Sequence, residues 1–167
     1  MSTATAISLS EYLETSYRPD CDYFEGELLE RNVGEWDHSR LQALLGGYLA
    51  DREKKQSGFL VALAQRVQIK PARFRVPDIT VLLAAPAGSI ITEPPFLCIE
   101  ILSPRDRMQE MQERIDDYLA FGVRYVWLIH PRSRRGFVYT ADSVREAKDG
   151  VLCTEDPKIC VCLAELD

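Results

Sequence analysis

Phe96-Leu97-Cys98-Ile99-Glu100-Ile101-Leu102 and Arg124-Tyr125-Val126-Trp127-Leu128-Ile129 bracket a helical pattern. Both runs are continuously apolar after their first residues, apart from Glu100, rather than alternating. That is how strands covered on both faces read. Between them Met108, Met111, Ile115, Tyr118 and Leu119 recur at helical spacing. Ser103-Pro104 is expected to open that helix, with proline at the first helical position. Gly122 falls where a left-handed glycine ends one. Strand, helix and strand in this order predict a parallel pair with a right-handed crossover over 96–130.

The flanking segments extend this unit. Val76 to Leu83 is a second apolar, β-branched run, broken by Asp78, and Phe59 to Ile69 reads as one strand. Leu41, Leu44, Leu45, Tyr48 and Leu49 form an apolar stripe on a helix starting at Asp37 or His38. Gly46-Gly47 inside that helix costs about 1 kcal/mol per glycine relative to alanine, which close packing on a sheet would explain. Tyr23 to Arg31 reads as a strand pair turning at Glu25-Gly26, and Gly136 to Thr140 as an edge strand. Ser8 and Glu11 have capping-box spacing for a helix over 8–17. The expected class is α/β: a mixed central sheet with helices on both faces, in a single domain spanning 1–167.

Composition bounds the function. At 167 residues the chain buries about two-thirds of its unfolded surface and needs no metal or disulfide to fold. The net charge of −6 excludes a uniformly basic, histone-like binder. The charge is uneven: residues 1–37 carry nine acids and two bases, 38–140 ten acids and fifteen bases, and 141–167 seven acids and three bases. A basic middle can face a polyanion. No apolar run approaches the roughly 18 residues of a membrane span. Met1 to Ile7 lacks a charged n-region and an apolar h-region, so a cytoplasmic address is expected. The five cysteines, Cys21, Cys98, Cys153, Cys160 and Cys162, contain no CxxC pair and read as reduced structural thiols. With His38 and His130 the only histidines, no zinc spacing exists.

The residues with chemistry are the two carboxylates inside apolar strands, Asp78 and Glu100. A buried carboxylate must pair, shift its pKa or bind a metal. If the two strands are neighbours, the like charges need a cation between them. Oxygen ligands favour Mg²⁺ or Mn²⁺, which polarise phosphoryl oxygens and activate water for phosphodiester hydrolysis. A helix opening at Ser103 would point its N–H groups to the same end and favour an anion. The alternative is that each acid sits in water or pairs with an arginine.

An ordered set of motifs runs through the chain: Tyr23-Phe24-Glu25-Gly26-Glu27-Leu28, His38-Ser39, Val76-Pro77-Asp78-Ile79, Ile99-Glu100-Ile101-Leu102-Ser103-Pro104, then Tyr118, Gly122-Val123 and Tyr125-Val126-Trp127-Leu128-Ile129. From about Leu9 to Tyr139 this resembles the Uma-two family of the PD-(D/E)XK restriction-endonuclease-like superfamily. The resemblance implies a restriction-endonuclease-like α/β core and Mg²⁺-dependent cleavage of nucleic acid, in the first place DNA. Cutting two strands favours two sites, so a homodimer is expected of an endonuclease. It implies that Asp78 and Glu100 are metal ligands, with the Ile101 carbonyl a further one. Glu27 matches the early acidic residue, which would bind metal or position water; Gln65 would support the site.

The usual lysine two residues after the second acid is Leu102 here, and the family's lysine on the following helix matches Arg114. Arginine can hold a phosphate or stabilise developing charge, but it is no general base. The proton of the attacking water would then pass to solvent. Ion pairs with Glu110 or Asp117 are the plain alternatives for Arg114. His38, at the start of the second helix, reads as a cap or packing residue rather than a base, and otherwise as a support of the site. Arg66, Lys70, Arg73 and Arg75, with Arg105 and Arg107 at the third helix, are candidates for a phosphate groove. Arg132, Arg134 and Arg135 read as a solvated turn. A catalytically degenerate relative that binds nucleic acid or protein without cutting is the second reading, supported by Leu102 and Arg114. A small acidic interaction protein is the third.

Overall fold

In the computed structural model, which describes residues 6–31 and 34–167, the elements are α1 (Leu9–Glu14), β1 (Cys21–Phe24), β2 (Glu27–Glu30), α2 (Trp36–Gln56), β3 (Leu60–Leu63), β4 (Val67–Lys70), β5 (Arg73–Arg75), β6 (Ile79–Leu82), β7 (Leu97–Ile101), α3 (Met108–Phe121), β8 (Tyr125–Ile129), β9 (Gly136–Tyr139), β10 (Val144–Glu146), β11 (Val151–Cys153) and β12 (Cys160–Cys162). A six-stranded mixed sheet runs β10-β9-β8-β7-β6-β3, and a four-stranded sheet runs β2-β1-β5-β4. β11 and β12 form a separate hairpin. The only parallel pair of the large sheet, among the described residues, is β7–β8, as the strand–helix–strand pattern requires.

The large sheet is apolar on both faces because helices cover both. On one face Ile79, Val81, Ile99, Ile101 and Trp127 pack with Leu41, Leu45 and Leu49 of α2 and with Leu152 and Val161 of the β11–β12 hairpin. On the other, Cys98, Val126 and Leu128 pack with Met111, Ile115 and Tyr118 of α3 and with Val67 and Ile69 of β4. Tyr12, Tyr23 and Phe74 form a smaller cluster that joins α1 to the four-stranded sheet.

Several local expectations hold. Ser8 caps α1, its hydroxyl accepting the Glu11 N–H at 3.2 Å. The β1–β2 turn places Glu25 and Gly26 at positive φ (46° and 97°), the conformation a tight hairpin demands. Gly122 ends α3 in the left-handed region at φ 109°. Gly46 lies close to β3, for a Cβ there would stand 3.0 Å from Leu63 Cδ2. Gly47 faces open space, so packing accounts for one glycine of the pair.

Other expectations are corrected. Phe59 to Ile69 is two strands in two sheets, divided where Ala64 turns at φ 47°. Ser103-Pro104 opens a turn rather than a helix: Asp106 N–H donates to Ser103 O at 3.0 Å, and Ser103 N–H to Asp106 Oδ2 at 2.7 Å. Proline's fixed φ suits the second position of a turn as well as a first helical turn. α3 starts five residues later at Met108, so no helix N-terminus stands at Ser103. The helix over 8–17 is shorter, Leu9–Glu14. The strand at 136–140 is not the edge, because β10 pairs outside it. Cys153 and Cys160, directly opposed across β11 and β12, form a disulfide; Cys21, Cys98 and Cys162 are free.

Candidate active site

Strand register brings the two acids together. Ile79 pairs with Ile99 in the antiparallel β6–β7 ladder, so one step further along Asp78 meets Glu100. The Glu100 side chain points to the α3 face, like Cys98 two residues before it, while Asp78 reaches Arg31 and His38. Asp78 is 5% exposed and Glu100 fully buried, and like charges directly opposed in a sheet repel. The arrangement therefore depends on what surrounds them.

A guanidinium lies between them. Arg31, just after β2, places Nη2 2.7 Å from Asp78 Oδ1 and 3.1 Å from Glu100 Oε2, and Nη1 3.4 Å from Glu100 Oε1. The second Asp78 oxygen accepts the Ile101 N–H at 2.7 Å and meets His38 Nε2 at 3.2 Å. Gln42 Nε2 donates to the Asp78 carbonyl at 2.9 Å. His38 and Gln42 are four residues apart on α2 and so share one face of it. Arg114 and Tyr118 repeat that spacing on α3: the Tyr118 hydroxyl donates to Glu100 Oε1 at 2.6 Å, and Arg114 Nη1 stands 3.4 Å from the same atom.

A second layer holds the first. Asp22, 1% exposed on β1, receives Arg114 Nη2 at 2.6 Å and Arg75 Nη1 at 3.0 Å on Oδ2, and the Val76 N–H at 2.9 Å on Oδ1. Arg75 also contacts Asp117 at 2.7 Å, and Arg73 reaches Asp117 at 2.9 Å. Four acids thus face four arginines in and behind the site.

The protonation states follow. Burial would raise the Asp78 carboxyl, but Arg31, the His38 hydrogen bond and the Ile101 N–H hold it below the usual carboxylate range. Burial would lower His38, yet its bond to Asp78 lifts it above the ordinary imidazole value. Burial, then the Glu100 charge, pushes Tyr118 well above a free phenol, so it donates at every ordinary pH. Arg114 stays charged: burial and Arg31 disfavour its cation, but Asp22 and Glu100 outweigh them.

These groups line a cleft of about 720 Å³ between the two sheets. Of the residues expected there, Asp78, Glu100, Ile101, His38 and Arg114 come together, and Arg105 and Arg107 stand exposed on its rim. Arg114 leans to the sheet and pairs with Glu100 and Asp22. Glu27 does not join the site: it is exposed at the start of β2, opposite Phe24, and outside the cleft lining. Gln65 lies outside too, donating to Ser89 O at 2.6 Å, and Lys70 is exposed at the end of β4. Arg66 is structural, stacked on Tyr12 and bonded to the Tyr12 carbonyl at 3.0 Å. Leu102 is buried with Met111 and Ile115, which excludes a lysine-like role at that position. Asp22, Arg31 and Gln42 were not foreseen, and Arg75, expected along a phosphate groove, is instead buried against Asp22 and Asp117. Asp22 carries the signal that exposed Asp78 and Glu100, an acid between strand residues Cys21 and Tyr23 that are buried.

The donor chemistry fits a hard divalent cation. Asp78 Oδ1 and Glu100 Oε2 converge on one point, marked by Arg31 Nη2, and Mg²⁺ commonly takes one or two carboxylates plus water. The Ile101 N–H faces Asp78, and in an extended strand the carbonyl shares that edge. Among the described residues no cluster of three His, Cys, Asp or Glu side chains assembles a closed metal site, so a cation here would rest on the pair.

Comparison with known proteins agrees with this geometry. The profile of Uma2, a family described as putative restriction endonucleases, matches residues 9–156. The chain belongs to the Uma2 family. The crystal structure of a putative nuclease belonging to DUF820 from Anabaena variabilis superposes with a TM-score of 0.81 at 23% identity, covering 96% of this chain and 97% of that one. That likeness shows that the two chains share one fold, a mixed central sheet with helices. Curated proteins give no match. Membership of Uma2 supports a nuclease-type function and implies a nucleic-acid substrate. No helix among the described residues is long and apolar enough to cross a membrane.

Proposed function

We propose that this Uma2 protein is a metal-dependent endonuclease that hydrolyses phosphodiester bonds in DNA at the Asp78–Glu100 pair. The observation carrying this reading is the opposition of two buried carboxylates on adjacent strands, at the floor of a cleft whose rim bears Arg105 and Arg107. Asp78, Glu100 and the Ile101 carbonyl would hold Mg²⁺ or Mn²⁺, which supplies Lewis acidity at a phosphoryl oxygen. Tyr118 fixes one Glu100 oxygen and the Ile101 N–H fixes one Asp78 oxygen, so both carboxylates are oriented before substrate arrives. Arg114, permanently charged beside Glu100, stabilises charge on the phosphate. Arg105 and Arg107 meet the DNA backbone. With Leu102 buried at the usual lysine position, the attacking water's proton goes to solvent.

The test is cleavage of plasmid and single-stranded DNA with Mg²⁺ or Mn²⁺, beside EDTA and Asp78→Ala controls. Cleavage that needs metal and falls about 100-fold or more in Asp78→Ala is expected. A folded protein that cuts in neither metal rejects it. Binding of DNA without cutting would then favour the degenerate binding module, the reading that Leu102 and the bridging guanidinium of Arg31 support.

A further inference from the structure

We infer that Arg31 occupies the cation position of this site, and that a divalent ion enters only as the Arg31 guanidinium leaves. The inference rests on the metal-dependent reading above. Arg31 Nη2 sits 2.7 Å from Asp78 Oδ1 and 3.1 Å from Glu100 Oε2, the two oxygens that would share an ion. Magnesium–oxygen contacts are about 2.0–2.1 Å, so ion and nitrogen compete for one volume.

Charge gives the same answer. Asp22, Asp78, Glu100 and Asp117 are already met by Arg31, Arg73, Arg75 and Arg114. A divalent ion added to that set would lie beside uncompensated positive charge in a buried place. One arginine must withdraw, and the network selects which. Arg114 is anchored behind the site by Asp22 at 2.6 Å, and Arg75 by Asp22 and Asp117. Arg31's ion pairs, among the described residues, are with the two candidate ligands themselves. It comes from the end of the outer strand of the small sheet, and its side chain is 14% exposed to the cleft. It leaves as a cation, because a guanidinium stays protonated at any ordinary pH. A phosphodiester in the cleft offers it a bidentate partner in exchange. Arg31 thereby links uptake of the ion to arrival of substrate.

The test is Mn²⁺ binding, read by electron paramagnetic resonance without nucleic acid, in the wild type, Arg31→Gln and Arg31→Gln/Asp78→Asn. Arg31→Gln is expected to bind at least about tenfold more tightly than wild type, and the double variant to lose that gain. Equal measurable affinity in wild type and Arg31→Gln overturns the inference and leaves the metal-dependent reading standing. No binding at millimolar Mn²⁺ in either folded protein overturns both. Because Arg31→Gln leaves two facing carboxylates, a second readout uses the wild type. The guanidinium protons of Arg31 are followed by nitrogen-15 NMR during a Mg²⁺ titration. Their protected signals are expected to vanish as the site saturates; persistence at saturation overturns the inference.

Discussion

Asp78 and Glu100 were legible as single residues because burying a carboxylate in an apolar strand is too unfavourable to be incidental. The same reasoning reaches Asp22, whose neighbours Cys21 and Tyr23 are buried. It does not reach Arg31, since an arginine after a strand of mostly exposed residues reads as a solvated end. Nor does it exclude Glu27, whose motif position is right but whose side chain faces water. His38 was left open between cap, packing residue, base and support, and the fold places its Nε2 3.2 Å from Asp78. That contact has a pH signature. Asp78's hydrogen bond outweighs the opposing burial and raises the folded imidazole above its ordinary value. The stabilisation is therefore complete below the unfolded value of about 6.5 and fades as pH rises through the folded value. In EDTA, urea unfolding of wild type and His38→Gln between about pH 5.5 and 8.5 should show a stability gap that narrows with rising pH. A constant gap would mean that folding leaves the proton affinity of His38 unchanged.

Elements were read most reliably where one physical rule acted alone. The 96–130 unit, the β1–β2 hairpin and α2 follow from apolar periodicity and turn chemistry. The start of α3 did not, because Pro104 satisfies a turn as well as a helix and the Ser103–Asp106 turn captures it. The break between β3 and β4 was hidden because Gln65 and Arg66 suit an exposed strand as well as a loop, and only pairing partners reveal the change of sheet. In α2 the two glycines look alike in sequence and differ in the fold. A Cβ at position 46 would meet Leu63 at 3.0 Å, whereas one at 47 would meet nothing within 4 Å. Gly47→Ala should therefore stabilise the protein by about 0.5–1 kcal/mol, through helix propensity and a less flexible unfolded chain. Gly46→Ala should gain less, as Leu63 must shift. Urea denaturation of the two variants checks the order, and equal gains would show that Leu63 yields freely.

At the scale of the whole molecule, the site is a seam between the two sheets and α3. The sequence could not show this, because the joining pairs are far apart: Asp22 to Arg75 spans 53 residues and Arg75 to Asp117 spans 42. Periodicity reports which face of an element is buried, and says nothing about which buried charge meets which. Asp22 ties β1 to β5 through Arg75 and to α3 through Arg114, and it also satisfies the Val76 N–H two residues before Asp78. Asp22→Asn keeps the shape but leaves two nearly buried guanidinium groups short of a countercharge. Breaking a buried pair in this way costs about 3–5 kcal/mol, far more than the pair's net contribution would suggest. Arg114→Met removes one of the stranded cations and replaces its stem with apolar volume. The double variant should therefore be more stable than the sum of the single losses predicts, with an interaction energy of about 1–3 kcal/mol in a double-mutant cycle. Additive losses would mean that Asp22 serves mainly Arg75 and Val76. Arg114 would then be free of its rear anchor, which would put it beside Arg31 as a group able to leave when a cation enters.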